Sequence, residues 1–392
     1  MKTLELRVRK VARDSGVGQI AVERDYAQSY VLLGIASVPE LRESLVFKGG
    51  TALRKVHLPG YRFSEDLDFS AVDAPRGEAL LEAVRAAVSA GQAAAQAYGP
   101  VTMAVQRARE RAPHPGGQEA FNVRVQFPWQ REPMVPVKLE VTHDEPVLLP
   151  APALPVLHGY EEPFDVSVRT YGLEEIAAEK LRATRQTQAR LAERGWVRPR
   201  ARDFYDLWHL VRLESGRVDW ARVAEVLPRK CAHRKVTFRE VADAFGPALL
   251  EEVRGGWERT LGPFVAPLPD VEQVLKETRV RLWLALRRAG GVTGGTTMGT
   301  SPRLPTEAGF ELNTANSIEG GIGWAHKVKD SRDIRFCTPA ARKESLPDGL
   351  VRLTCPLPTC ATTWLGLPEE EREGWELAAK NMREREALKR RR

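Results

Sequence analysis

Cysteine is scarce, with four in 392 residues. That is too few to staple a chain of this length, so a disulfide framework is excluded and a reducing compartment fits. Long apolar runs are also missing. The longest, residues 30–38, is far too short to span a bilayer. Residues 1–14 alternate charge with Leu and Val instead of building the apolar stretch of an export signal. A cytoplasmic protein with no membrane partner is therefore expected. Internal repeats are absent too. Acidic charge is in modest deficit, with 52 Asp and Glu against 59 Lys and Arg, for a net +7. That balance favours polyanionic partners, nucleic acid first, although a basic proteome would produce it as well. The remainder, 43% hydrophobic and 28% charged, is an ordinary globular composition, and the length suits two or three domains.

Periodicity divides the chain. Residues 19–37 have helical spacing and stop at Val38-Pro39, and Leu45-Val46-Phe47 is a short buried strand ending at Gly49-Gly50. A helix is expected over 51–56, a strand over 66–69 and an Ala-rich helix over 80–98, with Leu81, Val84 and Val88 on one face. Two alternating strands follow. One places Phe121, Val123, Val125 and Phe127 on a common face, the other Val135, Val137, Leu139 and Val141. From Leu173 the pattern becomes helical, over 173–194, 202–213, 220–227, 238–244 and 271–289. The spacing predicts an α/β (α+β) fold: a mixed-sheet catalytic domain with N-terminal helices over 1–170 and a helical domain completing the active site over 171–290. A Gly- and Thr-rich flexible linker at 291–305 then leads to a C-terminal appendage, 306–392, of unassigned role.

One ordered constellation carries chemistry. Lys48-Gly49-Gly50-Thr51 lies between a strand and a helix, where two glycines let backbone approach a phosphate closely. Asp66 and Asp68 are two apart on a strand, so both carboxylates leave the same face while Leu67 and Phe69 anchor the other. Two hard oxygen ligands at one edge suit magnesium, with nucleotide phosphates completing its shell. Glu140 alternates with buried residues on a later strand, beside Lys138. If that strand pairs near Asp66, Glu140 completes a two-metal site. Each piece alone is commonplace: an Asp-x-Asp or a Gly-Gly is more often a solvated edge or a turn.

In this order, Lys48-Gly49-Gly50-Thr51-Ala52-Leu53 and Arg62-x-Ser64-x-Asp66-Leu67-Asp68-Phe69 resemble the AbiEii/AbiGii toxin family of nucleotidyltransferases. That family includes the MenT toxins and is distantly similar to polymerase-beta-type transferases. A second block, Glu174-Glu175-Ile176-Ala177-Ala178-Glu179-Lys180-Leu181-Arg182-Ala183 with Arg202-Asp203-Phe204-Tyr205-Asp206-Leu207, extends the resemblance over about residues 20–290. It implies a bilobed fold, metal-dependent transfer of a nucleotide, and a toxin opposed by a separately encoded antitoxin. It also implies Asp66 and Asp68 as metal ligands, Gly49, Gly50, Thr51 and Ser64 as phosphate holders with Lys48 and Arg62 beside them, and Lys180 and Asp203 as essential site residues. The residues themselves leave alternatives. Lys180 can belong to a salt-bridged helix face or can face a phosphate. Asp203 can cap a helix, hold Lys180 or hold a reacting hydroxyl.

The expected activity is transfer of a nucleoside monophosphate from an NTP to an acceptor hydroxyl, with pyrophosphate released. The expected cofactor is Mg2+, or Mn2+ in its place, and the expected acceptor is the 3′ end of tRNA or another RNA, within a toxin–antitoxin or abortive phage-infection system. Two other functions compete: nucleotidylation of a protein hydroxyl, and a catalytically inactive module that binds nucleic acid or antitoxin. Weaker signals lie in the appendage. Cys355-Pro-Leu-Pro-Thr-Cys360 looks like half a zinc knuckle, with Cys337 and His326 as remaining ligands, but the second close pair is missing and buried thiols are the favoured reading. Trp324, Trp364 and Trp375 can be stacking platforms or core. The basic end, 389–392, can touch RNA or be solvated. His209 is read as structural.

Overall fold

The computed structural model describes residues 3–108, 117–195, 199–213, 216–289, 304–313, 323–328, 335–336, 341–346, 350–356, 360 and 362–390. The chain forms two compact units, residues 1–281 and 282–392.

The first unit begins with α1 (Leu4–Ser15), α2 (Gln19–Ser37) and α3 (Pro39–Ser44), followed by β1 (Leu45–Lys48) and α4 (Gly49–Ala52). The helix expected over 51–56 is α4 running into a wider π turn, Leu53–His57, a distortion common at functional sites. Then come β2 (Asp66–Ala71), α5 (Gly77–Ala95), β3 (Thr102–Arg107), β4 (Gln118–Gln126) and β5 (Val135–Thr142), with the short pair β6 (Ala153–Pro155) and β7 (Ser167–Arg169). The main sheet has the order β1-β2-β5-β4-β3 and is mixed. Only β2 and β5 run parallel; the other neighbours are antiparallel. Alternation explains its core. Phe121, Val123, Val125, Val137, Leu139 and Val141 are wholly buried on one face, against α2 and α5.

Four helices and the start of a fifth complete this unit: α6 (Leu173–Arg194), α7 (Ala201–Leu210), α8 (Trp220–His233), α9 (Pro247–Leu261) and α10 (Val271–Arg288). The boundary between the units falls inside α10. The helix expected over 238–244 is instead one turn of 3-10 helix, Val241–Ala244, closed by a reciprocal capping box between Glu240 and Asp243. Among the described residues, no helix is long and apolar enough to cross a membrane.

The second unit contains two small antiparallel sheets. One has the order β10-β9-β8, from β8 (Phe310–Asn313), β9 (Gly323–Val328) and β10 (Arg335–Phe336). The other is β11-β12-β13, from β11 (Arg342–Ser345), β12 (Val351–Thr354) and β13 (Thr363–Gly366). The closing helix is α11 (Pro368–Arg390). Phe310, Leu312, Trp324, Val351, Leu353, Trp364 and Ala378 form the core, with Trp375 packed edge-on to Trp324. Two of the three appendage tryptophans are therefore core residues, and the indole N–H of Trp324 donates to Glu371 at 2.6 Å. Most of the stretch read as a linker, the side chains of the basic end and Cys337 lie outside the described residues.

Candidate active site

The acidic edge is assembled by three strands. Lys48 ends β1 and lies opposite Asp68 in the antiparallel register. The chain then turns at Gly49 with φ +81°, and a Cβ there would stand 2.5 Å from Asp68 Oδ2. Both the backbone angle and the space demand glycine. A Cβ on Gly50 would likewise meet the Arg62 guanidinium at 2.5 Å. The Thr51 hydroxyl donates to the Asp66 carbonyl, tying this turn to β2.

On β2, Leu67 and Phe69 are buried while Asp66 and Asp68 line the opposite, half-buried face. The strand pairing that Glu140 required is present: in the parallel register Asp68 faces Glu140 and Asp66 faces Lys138. Lys138 also forms an ion pair with Glu140. Burial raises the Asp66 carboxyl pKa, and Glu140 raises it further against Lys138. Asp68 is held well above its ordinary value, by burial first and then by the Glu140 and Asp66 charges, against Lys48. Asp66 and Asp68 share one strand face with Glu140 beside Asp68, oxygen donors of the kind a hard divalent cation takes.

A second charged centre is built differently. Asp206 on α7 is wholly buried and accepts Arg62 through both oxygens, at 2.6 and 2.7 Å, together with Lys180 at 2.6 Å and the Tyr61 hydroxyl at 2.8 Å. Burial would raise its carboxyl pKa, but Arg62 and Lys180 outweigh that and hold it far below the usual range. Lys180 also reaches Asp203 at 3.0 Å, and the second Asp203 oxygen takes Arg200 at 3.3 Å. The structure thus places Lys180 between two carboxylates of another helix, and Arg62 against Asp206. Ser64 is buried, and its carbonyl accepts the Gln28 side chain.

Lys48, Gly49, Asp68 and Glu140 open onto a cleft of about 590 Å³. Arg182, Arg190, Arg200, His233, Arg234 and Lys235 also line it, together with Glu145 and Glu179. The Glu179 carboxyl falls to about 2; burial opposes this, and Lys48 and Lys230 overcome it. His209 packs edge-on to Tyr61 at 5.1 Å, and burial lowers its pKa to about 4, as a packing residue requires.

Sequence reasoning missed the basic wall and the central place of Asp206. The signal for the wall was present on α6: Glu179, Arg182, Ala183, Gln186 and Arg190 follow helical spacing and line the cleft together. For Asp206 the signal was its place three residues after Asp203.

Comparison with known proteins completes the assignment. The model of the family described as nucleotidyl transferase AbiEii toxin, type IV TA system, matches residues 30–277. Among solved structures, MenT4, a nucleotidyltransferase toxin from Mycobacterium tuberculosis, is similar at 24% identity and a TM-score of 0.50, covering 70% of this chain and 88% of its own. At that identity the likeness is one of fold. No curated protein matches. The family match spans β1, the acidic strands, α6 and α7, and with them both charged centres: the chain belongs to the AbiEii family of nucleotidyltransferase toxins of toxin–antitoxin systems.

Proposed function

We propose that the protein transfers a nucleoside monophosphate from an NTP to a hydroxyl at the 3′ end of an RNA, tRNA foremost, and releases pyrophosphate. The observation that carries this reading is Asp68 standing in register with Glu140 while Gly49 packs against its carboxylate. Asp66, Asp68 and Glu140 would hold magnesium, or manganese in its place. A bound ion there would lower the pKa of the attacking hydroxyl and offset charge developing on the departing pyrophosphate.

The chain's own residues supply the rest. Lys48, Gly49, Gly50 and Thr51 form the floor against which phosphates can lie, because the glycines leave room for a close approach of backbone. The triphosphate then has Arg182 and Arg190 among the cleft's lining residues to balance its charge. Lys180, fixed by Asp203 and Asp206, is a positioning residue with Arg62: together they hold the Gly50 turn in place. In the reaction the acceptor oxygen bonds to the α-phosphorus while the bond to the β-phosphate oxygen breaks. The acceptor's proton passes to a carboxylate of the edge or to water.

RNA is favoured as acceptor by the net positive charge and the arginine-lined wall. As a toxin of this family the protein would act in the cytoplasm, be restrained by a separately encoded antitoxin, and serve in abortive infection. The test is incubation with each labelled NTP, magnesium, total RNA and cell protein. Label in RNA supports the reading. Label in protein would instead identify a nucleotidylated hydroxyl on a polypeptide, and label in neither, with NTP still bound, would identify a binding module.

A further inference from the structure

The second unit brings together three residues that sequence spacing had left apart. His326 lies on β9 of one sheet, while Cys355 and Cys360 belong to the connection between β12 and β13 of the other. The His326 imidazole and the two thiols have ligand atoms all within 4.8 Å of one another. Cys360 Sγ lies 3.1 Å from His326 Nδ1. Around a tetrahedral zinc, bond lengths of about 2.0 Å to nitrogen and 2.3 Å to sulfur put neighbouring ligand atoms roughly 3.5–3.8 Å apart. The three atoms therefore need only small adjustments to share one ion.

We infer that the second unit holds a structural zinc ion on His326, Cys355 and Cys360, pinning its two sheets together at the end of the β12–β13 connection. Local structure supports this. The Cys355 backbone N–H donates to the Thr362 carbonyl at 2.8 Å, which closes the connection and brings Cys360 back beside Cys355. The Cys360 Sγ also lies 3.2 Å from Thr362 Oγ1, a hydroxyl placed to donate to a thiolate. On His326, a Cβ at Gly309 would meet Nε2 at 3.2 Å, so the ring offers Nδ1 to the sulfurs and turns its other nitrogen to backbone.

The donor chemistry selects the metal class. Two thiolates and an imidazole suit zinc, whereas the all-carboxylate edge of the first unit suits a hard cation. A metal held between two small sheets adds its binding free energy to the folded state. Cys231 provides the contrast: it is a buried thiol on α8 of the first unit and belongs to no such cluster among the described residues. Spacing argued against zinc because Cys355 and Cys360 form one pair and His326 is distant in sequence. The fold of the second unit removes that distance, because the ligand atoms of all three lie within 4.8 Å of one another. His326, Cys355 and Cys360 are three of the four ligands that a closed structural zinc site takes.

The experiment uses the full chain, purified with reductant and dialysed against metal-free buffer, with zinc counted by mass spectrometry. About one zinc per chain is expected, still present in Cys231→Ser and lost in both Cys355→Ser and Cys360→Ser. An organomercurial titration of the unmutated protein guards against variants that fail to fold, because zinc should leave as the thiols are modified. Cobalt in place of zinc should give a thiolate-to-metal charge-transfer band with the strong visible absorption of a tetrahedral site. The inference is overturned by a protein that, with its thiols kept reduced, takes up neither metal, or by zinc retained in a folded Cys355→Ser/Cys360→Ser double variant.

Discussion

Asp68 and Asp206 lie in the same compact unit, yet their surroundings push their protonation in opposite directions. Asp206 has a bidentate arginine, a lysine and a tyrosine hydroxyl, and its pKa is driven down. Asp68 has Glu140 across the strand and Asp66 beside it, and its pKa is driven up. Where the protein supplies the compensating charge, the carboxylate serves the fold. Where it supplies further negative charge, the carboxylates are left to repel one another, which is the setting the proposed cation would relieve.

The largest effect expected from this contrast is on activity. On the proposed metal site, Asp68→Asn should lower nucleotide transfer by roughly a thousandfold or more, since the ion would lose a ligand. The melting temperature should stay level or rise as like-charge repulsion is relieved. Single-turnover assays with labelled NTP, beside thermal melts, measure both. A variant that melts far below the parent would erase the distinction between the two aspartates.

Asp206→Asn should do the reverse, costing about 3–5 kcal/mol of stability because Arg62 and Lys180 are left buried without their partner. Urea titration reads this directly. An apolar triple replacement, Asp206→Leu with Arg62→Met and Lys180→Met, should recover much of the stability. Full stability in Asp206→Asn would show that the buried centre is not what holds the fold.

Next in size is a pH effect at a third aspartate. Asp25 is buried with Arg54 at 2.6 Å, Lys55 at 2.8 Å and Tyr160 at 3.2 Å. Burial opposes its ionisation, but Lys55 and Arg54 lower its pKa from 3.8 to about 2. A depressed carboxyl contributes stability above its unfolded pKa and loses it as pH falls through the folded one. Here about 2 kcal/mol should disappear between roughly pH 4 and pH 2. Asp25→Asn should flatten that part of a stability–pH curve obtained by urea unfolding; an unchanged slope would assign the acid sensitivity elsewhere.

The smallest effect belongs to the basic wall. Arg182→Ala should raise the KM for NTP about tenfold, near 1.4 kcal/mol, with kcat little changed, as for a group that binds ground and transition states equally. A fall in kcat with KM constant would move Arg182 from substrate binding to the chemical step.

Much of the geometry of the acidic edge was legible because it is local. The alternation of Asp66 and Asp68 with Leu67 and Phe69, the glycine turn before α4, and the buried faces of β4 and β5 are all short-range patterns. Elements with mixed signals escaped. In α1 the buried Arg7, paired with Glu162, breaks the apolar stripe. α9 carries Gly255-Gly256 in its body, and β3 is largely exposed. Long-range meetings were illegible for a different reason. Nothing near Arg62 in the sequence indicates Asp206, and nothing near Cys355 indicates His326, because only strand and helix packing bring them together.

The parallel pairing of β2 with β5 has a consequence for the order of assembly. Parallel neighbours cannot be joined by a tight turn, and here the chain passes through α5, β3 and β4 before β5 reaches β2. Asp66 and Asp68 therefore leave the ribosome well before Glu140, and closing so long a loop is slow compared with forming a hairpin. During synthesis the nascent chain carries only part of its acidic set, and the edge is complete only once the sheet has closed. A toxin built this way matures in step with its own folding.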